Sequence, residues 1–302
     1  MSGGDRPDRD RADRNRPGRR RPGRGRTGRG RSDGGGPTDT AGAAGVTDPA
    51  DAADAAEAGR TGLAFEIVRE LEVEGSPARL WAALTTGTGG WLWPVEYEPR
   101  EGGAAPSGGT VTRWDPPHRL TARVEDPDRV PGQTLDELDH LIEPRDGGRR
   151  SWLRHVHSGV FTGDRDARYD GLVQWTDFHL HTLGQYMAYF EGRPVTFSAA
   201  GGPPASGAPD AFGRLARALG LPDDAMDGAR VRVQAPGGEL DAVIDFRSPH
   251  FIGLRADETL HRFFGRGRFG ARVGVSVHDF GAHADAKRTE LAWQDWLHHL
   301  YG

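Results

Sequence analysis

Two stretches of this chain end in the same pattern. Trp175, Asp177, Phe178 and His181 spell W-x-D-[FW]-x-x-H, and the pattern returns at Trp293, Asp295, Trp296 and His299. Each copy follows a series of short strand-like runs. A helix that closes an antiparallel series has one apolar face and one sheet to bury it on, so it must lie across that sheet. The repeat therefore predicts two related α+β units, each a sheet covered by its own final helix.

Not all of the 302 residues can take part. Gly and Pro number 45 and 21, and only 35% of the chain is hydrophobic. Residues 1–62 hold no periodic apolar positions and cannot bury enough surface to offset chain entropy, so they are expected to be disordered. Residues 1–36 carry 12 Arg against 5 Asp, a net of +7, and 37–60 carry a net of −4, which leaves −8 for the remainder. The Arg-Gly repeats at 23–31 could neutralise phosphates. The tail has no aromatic residue for base stacking, however, and Asp5, Asp8, Asp10 and Asp13 interrupt it, so nucleic acid is not the expected partner. With no Cys there is no disulfide, no thiolate nucleophile and no Cys-ligated zinc. No apolar run is long enough to span a membrane or serve as a secretory signal, and a cytoplasmic location is expected.

Order is expected from Leu63. Phe65, Ile67, Leu71 and Val73 alternate with glutamates, the mark of a strand with one buried face. Ser76 and Pro77 then open a short helix carrying Leu80, Trp81 and Leu84, which Gly87, Gly89 and Gly90 break. Strand-like runs follow at 109–114, 119–125, 135–143 and 150–161, separated by Gly/Pro/Asp turns. From Asp170 the spacing of Leu172, Trp175, Phe178, Leu183, Tyr186 and Phe190 predicts a helix of about 20 residues, ended by Gly192 and Pro194. Residues 197–209 look like a linker. Beyond it, 210–302 repeats the grammar in shortened form: a helix at 210–219, strands near 230–234, 240–247, 249–255, 258–264 and 271–279, and a closing helix at 287–301.

Four stretches of 63–196 together resemble the START-like (SRPBCC) superfamily, and within it the branch named after activators of the heat-shock chaperone ATPase. They are the opening strand, WAALTTGTGGWLWP at 81–94, the segment from Gly108 through Asp115 to Leu120, and His157-Ser158-Gly159 before a helix ending in Leu183, Tyr186 and Phe190. The second unit resembles the same family as a truncated, degenerate copy. The resemblance implies a helix-grip fold: a curved antiparallel sheet wrapped around a long C-terminal helix, with a cavity between them. It also implies a possible chaperone or other protein partner.

Candidate chemistry is sparse. Asp177/His181 and Asp295/His299 are each four residues apart on one helical face, but each Asp lies two residues from the Trp that must face the sheet. They are expected as surface pairs. His179 follows Trp175 by four residues and shares its face. His155 and His157 lie on one side of a single strand, yet no third metal ligand is specified, so neither a metal nor a cofactor is expected. Gly265, Gly267 and Gly270 match the dinucleotide fingerprint but lead into a valine-rich strand, which predicts a hairpin or bulge. No activated nucleophile is evident, and no catalytic residue is assigned.

We therefore expect a non-catalytic START-like protein that encloses a small apolar or amphipathic molecule between sheet and helix. Trp91, Trp93, Trp114, His155, His157, Trp175 and His179 are the expected lining. The alternatives are a co-chaperone-like interaction module and an enzyme of the polyketide cyclase or aromatase kind.

Overall fold

The structure, a computed structural model, describes residues 62–125, 133–161, 165–265, 267 and 271–302. The expectations for the N-terminal tail lie outside the described residues, apart from Gly62. No helix of the described residues is long and apolar enough to cross a membrane.

The described residues form two six-stranded antiparallel sheets. The first holds β1 (Leu63–Glu74), β2 (Ala104–Ala105), β3 (Gly109–Asp115), β4 (Arg119–Val124), β5 (Gln133–Arg145) and β6 (Arg150–Phe161), in the order β1-β6-β5-β4-β3-β2. The second holds β7 (Thr196–Gly201), β8 (Arg230–Ala235), β9 (Gly238–Arg247), β10 (Phe251–Arg255), β11 (Thr259–Gly265) and β12 (Val273–Asp279), in the order β7-β12-β11-β10-β9-β8. Adding six to each strand number turns one order into the other. Helices follow the same rule: α1 (Pro77–Thr85) and α3 (Ala211–Ala218) come after the first strand of each sheet, and α2 (Arg165–Tyr189) and α4 (Ala286–Tyr301) after the last. The fold is α+β, a helix-grip arrangement present twice.

Three expectations need correction. Residues 197–209 are not a linker, because Thr196–Gly201 is strand β7, paired along β12 from Thr196↔Asp279 to Gly201↔Gly274. Backbone pairing at a sheet edge does not require a side-chain pattern, so this Ala/Gly-rich stretch hides a strand. The second unit is consequently not truncated; it begins at β7 and has its full set of strands. The long helix also starts before Asp170, at Arg165.

Gly265 ends β11, which pairs antiparallel with β12 as a hairpin requires. Gly270 lies outside the described residues, and the next described element is strand β12 where a nucleotide-binding motif needs a helix.

One side of α2 grips the first sheet. Leu180, Leu183, Met187 and Phe190 pack with Val73, Ile142 and Leu153, and with Leu80 and Leu84 of α1. Its N-terminal part carries Leu172 and Val173 against Phe65, Ile67 and Phe161. The other side meets the second sheet. Phe178 touches Phe246, Phe251 and Phe264, with ring centroids 5.0, 4.9 and 5.8 Å away. Trp175 lies 5.3 Å from Phe264. The helix is thus apolar on two sides because it is buried between two sheets.

The opposite face of the second sheet, with Ile252, Leu254, Phe263, Val275 and Val277, carries α4 through Trp293, Leu297 and Tyr301. A sheet covered on both faces buries both, which explains the near-continuous burial along β10 and β11.

Candidate functional site

The cavity between the first sheet and α2 has a volume of about 230 Å³. Its floor follows from strand register. Leu138 of β5 lies opposite His157 of β6, and His140 opposite His155, so side chains at alternate positions of both strands share the concave face. Ala122 and Val124 of β4 and Asp136 of β5 extend this floor, and Leu172, Trp175, Thr176 and His179 of α2 form the roof.

A third wall is the loop after α1, carrying Trp91 and Trp93. Trp91 is anchored by its Nε1, which donates to Ala83 O at 2.9 Å. Gly90 is needed there, since any Cβ would overlap the Tyr186 ring. Trp93 is 45% exposed and lies 6.1 Å from Trp175 and 5.9 Å from His179, ring to ring, placing it at the rim.

Six of the seven residues expected around the cavity therefore line it: Trp91, Trp93, His155, His157, Trp175 and His179. Trp114 is not among them. It shares the concave face, opposite Leu120, but sits further along and packs edge-on against Trp81 at 5.0 Å, with Tyr97 beside it. Asp136 and His140 were not anticipated. Their signal was the alternation of Asp136, Leu138 and His140 on one strand face.

The polar groups of the cavity are ordered by hydrogen bonds. His140 Nε2 and His155 Nδ1 are 3.0 Å apart. His140 Nδ1 is buried without a partner among the described residues. A bare lone pair is tolerated there better than an N–H, so the proton sits on Nε2 and is donated to His155 Nδ1. His155 then carries its own proton on Nε2. Burial pushes His140 down to about 4. Burial and the neighbouring His140 and His157 hold His155 well below the usual imidazole range. Both rings are neutral at pH 7.

His157 Nε2 donates to Asp136 Oδ1 at 2.6 Å, which leaves Nδ1 as the nitrogen for an occupant. His179 Nδ1 donates to Trp175 O at 2.9 Å, one turn back along α2. Tyr97, also in the wall, has its phenol pushed up to about 12 by burial. The cavity thus combines tryptophan walls with a neutral imidazole donor and a carboxylate-backed imidazole acceptor. No cluster of three or more His, Asp or Glu suited to a metal occurs among the described residues.

The two Asp/His pairs of the repeat behave differently from each other. Asp295 and His299 are exposed, as expected. Asp177 instead binds Arg69 of β1, with Arg69 Nε donating at 2.5 Å, and His181 faces the second sheet, 3.6 Å from Asp245. The expectation of a shared surface pair fails for the first copy because α2 has a sheet on each side.

A second cavity, also about 230 Å³, lies between α2 and the second sheet. It shares Trp91, Leu92, Trp93, Trp175 and His179 with the first as a common wall. Phe178 and Thr182 complete its helix side. Its sheet side carries Phe197, Ala199, Arg262, Phe264, Ser276 and His278. His278 ties this sheet to the first unit by donating from Nδ1 to Gly89 O at 2.7 Å. A groove of about 490 Å³ also remains at one end of the second sheet, beside Trp293 and Arg288 of α4.

No protein-family model matches the chain, and no curated protein matches it. Among solved structures it is similar to CalU16 from Micromonospora echinospora, at 19% identity and TM-score 0.34 over 41% of this chain and 77% of that one. It is similar to protein MLL2253 from Mesorhizobium loti, at 22% identity and TM-score 0.34 over 42% of this chain and 98% of that one. DynU16, from the dynemicin biosynthetic locus, matches 78% of this chain and 95% of its own length at 12% identity and TM-score 0.33.

Proposed function

We propose that the protein binds a small apolar or amphipathic molecule in the cavity between the first sheet and α2. The same proposal places the chain in the START-like superfamily, in the chaperone-ATPase-activator branch, on the motifs of residues 63–196 described above. The observation that carries the binding function is the pairing of Trp91, Trp93 and Trp175 with an ordered polar floor in a space of about 230 Å³. A cavity of about 150 Å³ suffices for benzene, so this one suits a molecule of one or two rings. Enclosing about 200 Å² of apolar ligand surface contributes about 5 kcal/mol before the losses of association. A hydroxyl donating to His157 Nδ1, or an oxygen accepting from His155 Nε2, fixes the orientation.

The test uses 2-naphthol and naphthalene, titrated against tryptophan fluorescence and calorimetry. The expected result is saturable binding of 2-naphthol, tighter than naphthalene, and its loss in Ala122→Trp, which fills the cavity. Absence of binding by both compounds, or an Ala122→Trp protein that binds like the parent, overturns the proposal. Native mass spectrometry of protein from its own host then identifies the retained molecule.

One observation favours a second reading, acid–base turnover of the bound molecule. His157 backed by Asp136 has the arrangement of a general base and its orienting group. It requires that His157→Ala abolish turnover while leaving the fold and naphthalene binding in place.

A further inference from the structure

Arg262 is the largest fully buried side chain of the described residues, at 1% exposure, and sits in the middle of β11. Its guanidinium crosses β10 at Gly253, its register partner, to reach Asp245 of β9. Only Nη1 is engaged: it donates to Asp245 Oδ1 and Oδ2 at 2.7 and 2.9 Å and lies 3.4 Å from His261 O. Nε and Nη2 are buried and have no hydrogen-bond partner among the described residues. These atoms form the side-on fork of a guanidinium, two parallel N–H groups spaced to meet both oxygens of a carboxylate.

We propose that the second cavity is a separate binding site for a small apolar carboxylic acid, its carboxylate received by the Nε/Nη2 edge of Arg262. Arg262 lines this cavity, and the remaining walls that matter are apolar: Trp175, Phe178, Phe197 and Phe264. The volume, about 230 Å³, exceeds the benzene-sized cavity of about 150 Å³ by enough for one added carboxylate. Ser276 lies directly opposite Arg262 in the β11–β12 register and adds a hydroxyl donor on the same face. The exposed Ala199 on edge strand β7 gives the cavity a way out to solvent. Asp245 cannot serve the free edge because Nη1 holds it on the other side. A guanidinium has five donors, enough to bridge two carboxylates.

The test uses benzoate and its neutral analogue benzyl alcohol, titrated by calorimetry into the full chain at pH 7. Benzoate is expected to bind at least about tenfold more tightly, the contribution of charge-assisted hydrogen bonds to a buried guanidinium. Ser276→Leu, which fills the cavity and keeps the Arg262–Asp245 pair, should remove that binding. The double variant Arg262→Met with Asp245→Leu, which removes both charges together, should remove the preference for the acid. Ala122→Trp in the first cavity should leave it unchanged. Failure of wild type to bind benzoate, equal binding of the two compounds, or loss of benzoate binding in Ala122→Trp overturns the proposal, the last by placing the acid in the first cavity. A crystal grown with benzoate that holds only water against Nε and Nη2 overturns it as well. Because the two cavities are blocked by different substitutions, this site and the first can fail independently.

Discussion

Acid should unfold this protein through its histidines before its carboxylates. Burial, the first cause in each case, pushes His140 and His261 down to about 4 and His278 down to about 3, from the ordinary 6.5. Between pH 6.5 and about 4 the unfolded chain therefore binds protons that the folded chain refuses. Stability is complete above pH 6.5 and falls as the pH drops. Each of the three rings costs about 1.4 kcal/mol per pH unit, so at pH 5 each costs about 2 kcal/mol and the three together about 6 kcal/mol. His155, also held low, adds in the same direction. A domain of ordinary stability holds about 5–15 kcal/mol in total, so the loss is a large share of it. Asp139 and Asp245, whose pKa values are lowered from 3.8, lose their contribution only as pH falls below that window. The assay is urea denaturation at pH 7.5, 6.0 and 5.0, followed by tryptophan fluorescence, for wild type and His278→Asn. The asparagine amide can still donate to Gly89 O but cannot titrate. The variant should flatten the pH dependence by about 1.4 kcal/mol per unit. Equal stability at pH 7.5 and 5.0, or the same slope in His278→Asn, refutes the reasoning.

Other substitutions separate the roles of the buried groups. Gly253→Ala places a Cβ against Asp245 Oδ1 and Arg262 Nη1 and should cost about 3–5 kcal/mol in denaturant unfolding by parting a buried ion pair. Leu183→Ala, at a fully buried position of α2, should cost about 2–5 kcal/mol in the same measurement. Asp177→Asn breaks a pair whose side chains are 36% and 40% exposed, and its cost, measured likewise, should stay below about 1 kcal/mol.

Much of the architecture is legible in the chain itself. The alternation of Phe65, Ile67, Leu71 and Val73 gives β1, and the span 150–161 coincides with β6. The repeated Trp motif marks the two closing helices. Strand β7 is not legible from its own residues, since an edge strand of Ala, Ser and Gly is held by backbone bonds to β12; the repeated grammar, in which a strand should open each unit, was the available signal. The tryptophans, His155, His157 and His179 of the first cavity follow from face and spacing, whereas the alternation of Asp136, Leu138 and His140 becomes informative only once register sets His140 opposite His155. Trp114 lies on the correct face but at the wrong distance along it, which one-dimensional periodicity does not encode. Arg262 stands out as a charge beside Phe263 and Phe264 in a strand buried along most of its length, and its partner Asp245 is fixed only by how β9, β10 and β11 stack side by side.

The position of α2 between two sheets also governs how the halves can come apart. A fragment ending near residue 196 would present Trp175 and Phe178 to water, and a fragment starting there would uncover Phe251 and Phe264. Each half thus completes the other, and heating should release both in a single calorimetric transition. The two sheets repeat one plan, and the rod they share is what joins them.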